Sequence, residues 1–187
     1  TQIDLYKYFD QFLINFKKNF WKKNKLNLIE TKNFKKICLD FYYYKSLDRI
    51  SSFYQGNDIS DNNEIINNTK TPTLNNLMSK VDWDFISSGI PTRIHGDFHF
   101  ENILKIGNKK YKFLDWRQDF GGIIDYGDIY YDLAKLYHGI IVDHGAIRND
   151  MFSIKLSSSK KVIDYEIYRK QSSYKLEKIL INFLKQN

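Results

Sequence analysis

The chain has 187 residues, a formal net charge of +7, and 42% hydrophobic and 17% aromatic residues. That content excludes an intrinsically disordered chain, and the length suffices for one core burying roughly 70% of the unfolded surface. No apolar run reaches the ~18 residues of a membrane span, the N-terminus lacks the apolar stretch of a signal peptide, and the lone Cys38 excludes an intrachain disulfide and suits the cytoplasm.

The first element is a helix marked by Leu5, Tyr8, Phe9, Phe12, Leu13, Phe16 and Phe20 at three- and four-residue spacing. Its polar side carries Lys17 and Lys18, followed by Lys22, Lys23 and Lys25. Of the 29 basic residues only five are Arg, and the rest are scattered Lys, so a solvated face rather than a nucleic-acid surface is expected. Phe34, Ile37, Cys38 and Phe41 repeat the helical pattern in a second helix reaching about Phe53. Residues 55–72 are rich in Asn and Asp and read as a polar loop prone to disorder. A short helix is predicted near Leu74–Val81, and Pro91 then leads into a loop. After the central motif, Asp128 caps a helix from Ile129 to about Val142 with Leu133, Leu136, Tyr137 and Ile140 on its apolar face. Residues 151–168 alternate as a hairpin turning at Ser157-Ser158-Ser159-Lys160. Leu176, Ile179, Leu180, Phe183 and Leu184 mark a terminal helix. The reading is α+β, predominantly helical, without repeats or linkers, and one domain over residues 1–187.

The central motif is His95-Gly96-Asp97-Phe98-His99-Phe100-Glu101-Asn102, followed by Asp115. Ile103–Ile106 and Tyr111–Leu114 are β-prone, with turn chemistry over Gly107–Lys110, so the segment between Asn102 and Asp115 reads as a β-hairpin. A turn centred between Asn108 and Lys109 makes Asn102 and Asp115 cross-strand partners, and a slip of one keeps them neighbours while changing where each points. Asp97 lies just before the first strand. Each of the three alone serves equally well as a turn or cap residue. Together they offer hard oxygen donors of the kind Mg²⁺ takes beside substrate phosphates, with Asn102 and Asp115 as ligands and Asp97 placed to orient a hydroxyl and accept its proton.

His-Gly-Asp-x-His-x-x-Asn-Ile-Leu over His95–Leu104, Leu-Asp-Trp ending at Trp116, and Gly-Asp-x-x-Tyr-Asp-Leu-Ala over Gly127–Ala134 resemble the aminoglycoside phosphotransferase and choline kinase family. The resemblance spans about a fifth of the chain and implies the large C-terminal lobe of a protein-kinase-like fold. It implies transfer of the γ-phosphoryl group of ATP to a hydroxyl of a small molecule (amino alcohol, aminoglycoside or sugar), with Asp97 as base and Asn102 and Asp115 on Mg²⁺. His95, His99 and Asp132 then support the catalytic loop, Asp132 by anchoring its backbone. Trp116, Arg117, Asp119 and Asp125 become candidate acceptor-binding residues, with the rings of Tyr126, Tyr130 and Tyr131 and the carboxylate of Asp128 nearby.

Two departures from the family pattern stand out. Arg117 replaces an acidic residue common after Asp-Trp and is expected to pair with Asp119 or Asp125 or to meet an anionic part of the acceptor. Residues 1–55 contain no glycine, and no G-x-G-x-x-G or G-x-x-x-x-G-K-[ST] occurs, so the N-terminal nucleotide-binding lobe is expected to be absent from this chain and its activity alone to be small. Two other readings use the same residues: a metal-dependent hydrolase with His95, Asp97 and His99 as ligands, and a non-catalytic binding module.

Overall fold

The computed structural model describes residues 2–107, 110–158 and 161–186. It is an α+β fold with about 51% helix and 18% strand. The chain packs as two compact units, one of Thr1–Cys38, Gly89–Asp143 and Arg169–Asn187, the other of Leu39–Ser88 and His144–Tyr168. Among the described residues no helix is long and apolar enough to cross a membrane.

The first unit is built on helix α1 (Gln2–Asn19), helix α6 (Ile129–Ile141) and helix α8 (Gln171–Gln186). Their apolar stripes supply one core: Phe9, Phe12, Leu13 and Phe16 from α1, Leu133, Leu136 and Ile140 from α6, and Leu176, Leu180 and Phe183 from α8. Phe98, from the loop that bears Asp97, enters this core completely and stacks at 4.6 Å on Phe16 and 5.9 Å on Phe12. Helix α2 (Leu28–Leu39) adds a smaller cluster in which Phe34 meets Phe120 and Tyr126, while the Cys38 thiol is buried and its pKa raised to about 12, by burial and then by Asp128.

Two small strand pairs frame the loop. Strand β3 (Pro91–Thr92) pairs antiparallel with β6 (Gly127–Asp128), and β4 (Ile103–Ile106) with β5 (Lys110–Phe113). The hairpin forms where it is predicted, but its register differs by one. Ile103 faces Phe113 and Ile106 faces Lys110, leaving three residues in the turn, with Gly107 at φ +60°. Asn102 therefore meets Leu114, whose N–H donates to its carbonyl at 2.9 Å, and Asp115 follows one residue beyond. The predicted turn centre, Asn108-Lys109, lies outside the described residues.

In the second unit a five-residue π-helical turn (Asp40–Tyr44) leads into α3 (Lys45–Asn57), so the helical region extends past Phe53. The segment 55–72 is not a plain loop. Strands β1 (Glu64–Ile66) and β2 (Thr69–Thr71) form a hairpin through Asn67 and Asn68, both at positive φ, a conformation Asn tolerates well. Asp61 accepts hydrogen bonds from Tyr54 Oη and from the backbone N–H groups of Leu74 and Asn75 at the start of α4 (Leu74–Ser79). The sheet order is β2-β1-β8-β7, with β7 (Phe152–Leu156) antiparallel to β8 (Val162–Ile167) and β8 parallel to β1. Helices α5 (Trp83–Ile86) and α7 (His144–Arg148) complete the unit. Ser159 and Lys160, in the predicted turn of the second hairpin, lie outside the described residues.

Leu136 has no exposed surface, whereas Leu104 is 46% exposed. Leu136→Ala is expected to lower unfolding free energy by about 2–5 kcal/mol in urea titration, and Leu104→Ala by less than about 0.5 kcal/mol. Equal losses at the two positions would contradict the assignment of the core.

Candidate active site

The loop before β4 is shaped by a carboxylate that reaches it from α6. Asp132, on the first turn of α6, is fully buried and accepts hydrogen bonds from the backbone N–H of His95 at 2.8 Å and of Gly96 at 2.7 Å. Trp21 Nε1, from the segment after α1, donates to the same carboxylate at 3.0 Å. Gly96 sits at φ +81° against Arg117, and a Cβ there would come 2.3 Å from Arg117 Cβ, so glycine is the residue that fits. The Arg117 N–H donates to the His95 carbonyl at 3.0 Å and ties the segment after Asp115 to the same loop.

Asp97 emerges from this frame with its side chain about a third exposed. Its Oδ1 lies 2.8 Å from Lys135 Nζ, and its Oδ2 lies 3.2 Å from Asn102 Nδ2 and 3.3 Å from His99 Nε2. Burial pushes the Asp97 carboxyl up, but Lys135 and then His99 outweigh it and hold it below the usual carboxylate range. His99 Nε2 also lies 3.3 Å from Asn102 Nδ2; the tautomer that donates to Asp97 cannot accept there.

Asn102 is buried, and its Nδ2 also donates to the Asp97 carbonyl at 2.9 Å. With the amide nitrogen committed to Asp97, its Oδ1 remains as an oxygen donor. Asp115 is exposed at φ +52°, and its carboxylate makes no hydrogen bond or ion pair among the described residues. The Asn102 Oδ1 and the exposed Asp115 carboxylate are hard oxygen donors, the chemical type that Mg²⁺ takes.

His95 behaves differently from His99. Its ring is enclosed, 4.7 Å from Trp116, and its Nδ1 accepts from the Asp97 N–H at 3.2 Å. Nε2 is buried and makes no hydrogen bond of good geometry among the described residues. Burial lowers the His95 pKa, against the Leu114 carbonyl and the Asp97 carboxylate, which favour the charged form. Asp97 and His99 meet, while the ring of His95 faces Trp116, Phe98 and Phe113. Among the described residues no group of three or more His, Cys, Asp or Glu side chains gathers as metal ligands.

Trp116, Arg117, Asp119 and Asp125 all line one cavity of about 320 Å³, together with Arg93 and Tyr126. Arg117 Nε donates to the Asp119 carbonyl at 2.7 Å, and the Asp119 carboxylate caps the turn at Gly122 N at 2.9 Å. Asp128 does not reach this wall. It is fully buried, accepts from Ile90 N at 2.9 Å and caps α6 through Tyr130 N at 3.2 Å. Trp21, Lys135 and Arg93 are the site residues that motif reading passes over. Lys135 carried a signal, three residues after Asp132 and on the same face of a predicted helix. Trp21, 111 residues from Asp132, carried none.

No family profile, curated protein or solved structure matches the chain.

Burial raises the Asp132 carboxyl to about 6, against the Trp21, His95 and Gly96 donors and with Asp128 adding to the rise. An unfolded Asp titrates near 4, so between about pH 4 and about pH 6 the folded chain keeps a proton that the unfolded chain releases. Stability therefore falls as pH rises through that window and levels off above it. The stability of the wild type relative to Asp132→Asn is expected to drop by up to about 3 kcal/mol across the window, read from urea unfolding at each pH. A difference that stays flat or grows would contradict the buried carboxyl's role.

Proposed function

We propose that the protein is a small-molecule kinase, transferring the γ-phosphoryl group of ATP to a hydroxyl in a Mg²⁺-dependent reaction. The observation that carries this reading is the hold of the Asn102 amide on the Asp97 carboxylate, on a loop whose own amides are bound by Asp132. The motif resemblance supports it independently of the geometry. In this reading the first unit is the catalytic part of a protein-kinase-like C-terminal lobe, working in the cytoplasm with a nucleotide-binding lobe not contained in these residues.

Asn102 and Asp115 would hold the Mg²⁺, which would neutralise charge on the nucleotide phosphates. Asp97 orients the acceptor hydroxyl and takes its proton. A carboxylate held below its usual pKa is a weak base, so most of its contribution lies in orientation, with proton acceptance late, as suits a loose transition state. Asn102 Nδ2 and His99 steer the carboxylate through Oδ2. In this reading the acceptor enters the cavity lined by Trp116, Arg117, Asp119 and Asp125, where aromatic rings, two aspartates and two arginines (Arg93 and Arg117) suit a polyhydroxylated molecule.

Asp97→Asn in the intact gene product is expected to reduce ATP-dependent phosphorylation of a responsive acceptor by about 10²-fold or more. The assay is nucleoside diphosphate release across a panel of amino alcohols, aminoglycosides and sugars. Near-normal turnover in the variant would remove Asp97 from the role of base. Absence of acceptor-stimulated ATP consumption in the wild type would count against the kinase reading as a whole.

A further inference from the structure

Lys135 has no assigned part in the phosphotransferase reading, yet it makes the shortest contact to Asp97. Its Nζ lies 2.8 Å from Oδ1, while Asn102 and His99 approach Oδ2. Helix α6 delivers it there. Asp132 holds the loop amides, and Lys135 sits three residues on along the same face. One turn further, the helix passes so close that a Cβ on Gly139 would lie 3.3 Å from His99 Cβ. The Tyr131 ring carries Lys135 Nζ at 5.8 Å and the Arg117 guanidinium at 5.9 Å, so two cations flank the loop.

A stabilising ion pair is a poor explanation for this placement. Both partners are about a third exposed, and such pairs add little to stability. A cation on a proton acceptor also makes it a weaker base. The placement has a use once a second anion arrives. A hydroxyl bonded to Asp97 at about 3 Å and poised about 3–3.5 Å from phosphorus brings the terminal phosphoryl oxygens close to Asp97, and therefore close to Nζ. Two anionic groups facing each other repel unless a cation lies between them. An ammonium has three donors, enough to serve both.

We propose that Lys135 is a phosphate-contacting residue, its ammonium bridging Asp97 Oδ1 and a terminal oxygen of the transferring phosphoryl group. This rests on the phosphotransferase reading. The acceptor oxygen forms the new bond to phosphorus. The bond from phosphorus to the bridging oxygen breaks, and its electron pair leaves with the nucleoside diphosphate. The acceptor proton goes to Asp97, and Lys135 keeps all of its own.

The test is binding as well as turnover, on the intact gene product with Mg²⁺ present. Affinities for ADP and for a β,γ-imido nucleoside triphosphate are measured by calorimetry for the wild type, Lys135→Met and Lys135→Arg. Lys135→Met is expected to weaken the triphosphate analogue about tenfold or more while leaving ADP nearly unchanged, and Lys135→Arg to recover most of the loss. In the kinetic assay kcat falls in Lys135→Met while KM for the acceptor holds. Unchanged triphosphate affinity, or an equal loss for both nucleotides, overturns the role of Lys135 and leaves the kinase reading standing. A wild type that binds neither nucleotide removes the kinase reading, and this proposal with it. If Lys135→Met shows no cooperative melting transition, Lys135→Gln is measured against the same outcomes.

Discussion

A carboxylate enclosed as completely as that of Asp132 is tolerable only because three N–H groups converge on it. Two belong to consecutive residues of the loop and the third to Trp21, so one side chain joins the end of α1, the start of α6 and the loop between β3 and β4. The bonds to His95 and Gly96 select the loop conformation in which Gly96 is left-handed and Asp97 leaves the core. Everything that follows in the site, from the Asn102 amide to the position of Arg117, is measured from those two amides.

Packing enforces the same arrangement from the other side. Phe98 alternates with Asp97 along the chain and is enclosed by Phe12 and Phe16 from the aromatic stripe of α1 and by Trp21 just after that helix. Burying one residue of the loop and exposing its neighbour turns the Asp97 carboxylate outward without any requirement from Asp97 itself. Helix α6 closes the frame: its apolar face joins the core through Leu133, Leu136 and Ile140, and its polar positions Asp132 and Lys135 meet the loop. Asp128 starts that helix, and its buried carboxylate one turn before Asp132 adds to the rise in the pKa of Asp132.

Local patterns were legible wherever period or turn chemistry settles a segment alone. The stripes of α1, α6 and α8, the cap at Asp128 and both hairpins follow from spacing and residue type. The segment 55–72 read as a loop because its strands are three residues each and too short for alternation to show. Asn67-Asn68 between Ile66 and Thr69 was the turn signal available there. The register of the first hairpin depended on whether its turn holds two residues or three, which the Gly-Asn-Lys-Lys run does not decide. That one residue separates Asn102 facing Asp115 from Asn102 bonded to Leu114.

The sequence by itself determined which residues carry oxygen and nitrogen in the loop, that Asp97, Asn102 and Asp115 lie near one hairpin end, and that apolar helical faces build the core. These are matters of period and short-range connectivity. Only the tertiary structure decided that Trp21 completes the shell around Asp132, that Lys135 rather than a loop residue reaches Asp97, that His95 turns into the core while His99 stays at the site, and that Asp128 is sealed from the cavity where Asp119 and Asp125 stand. Each of these depends on which faces of distant segments are pressed together when the core excludes water, and apart from the spacing of Lys135 from Asp132 no local pattern bears on that choice.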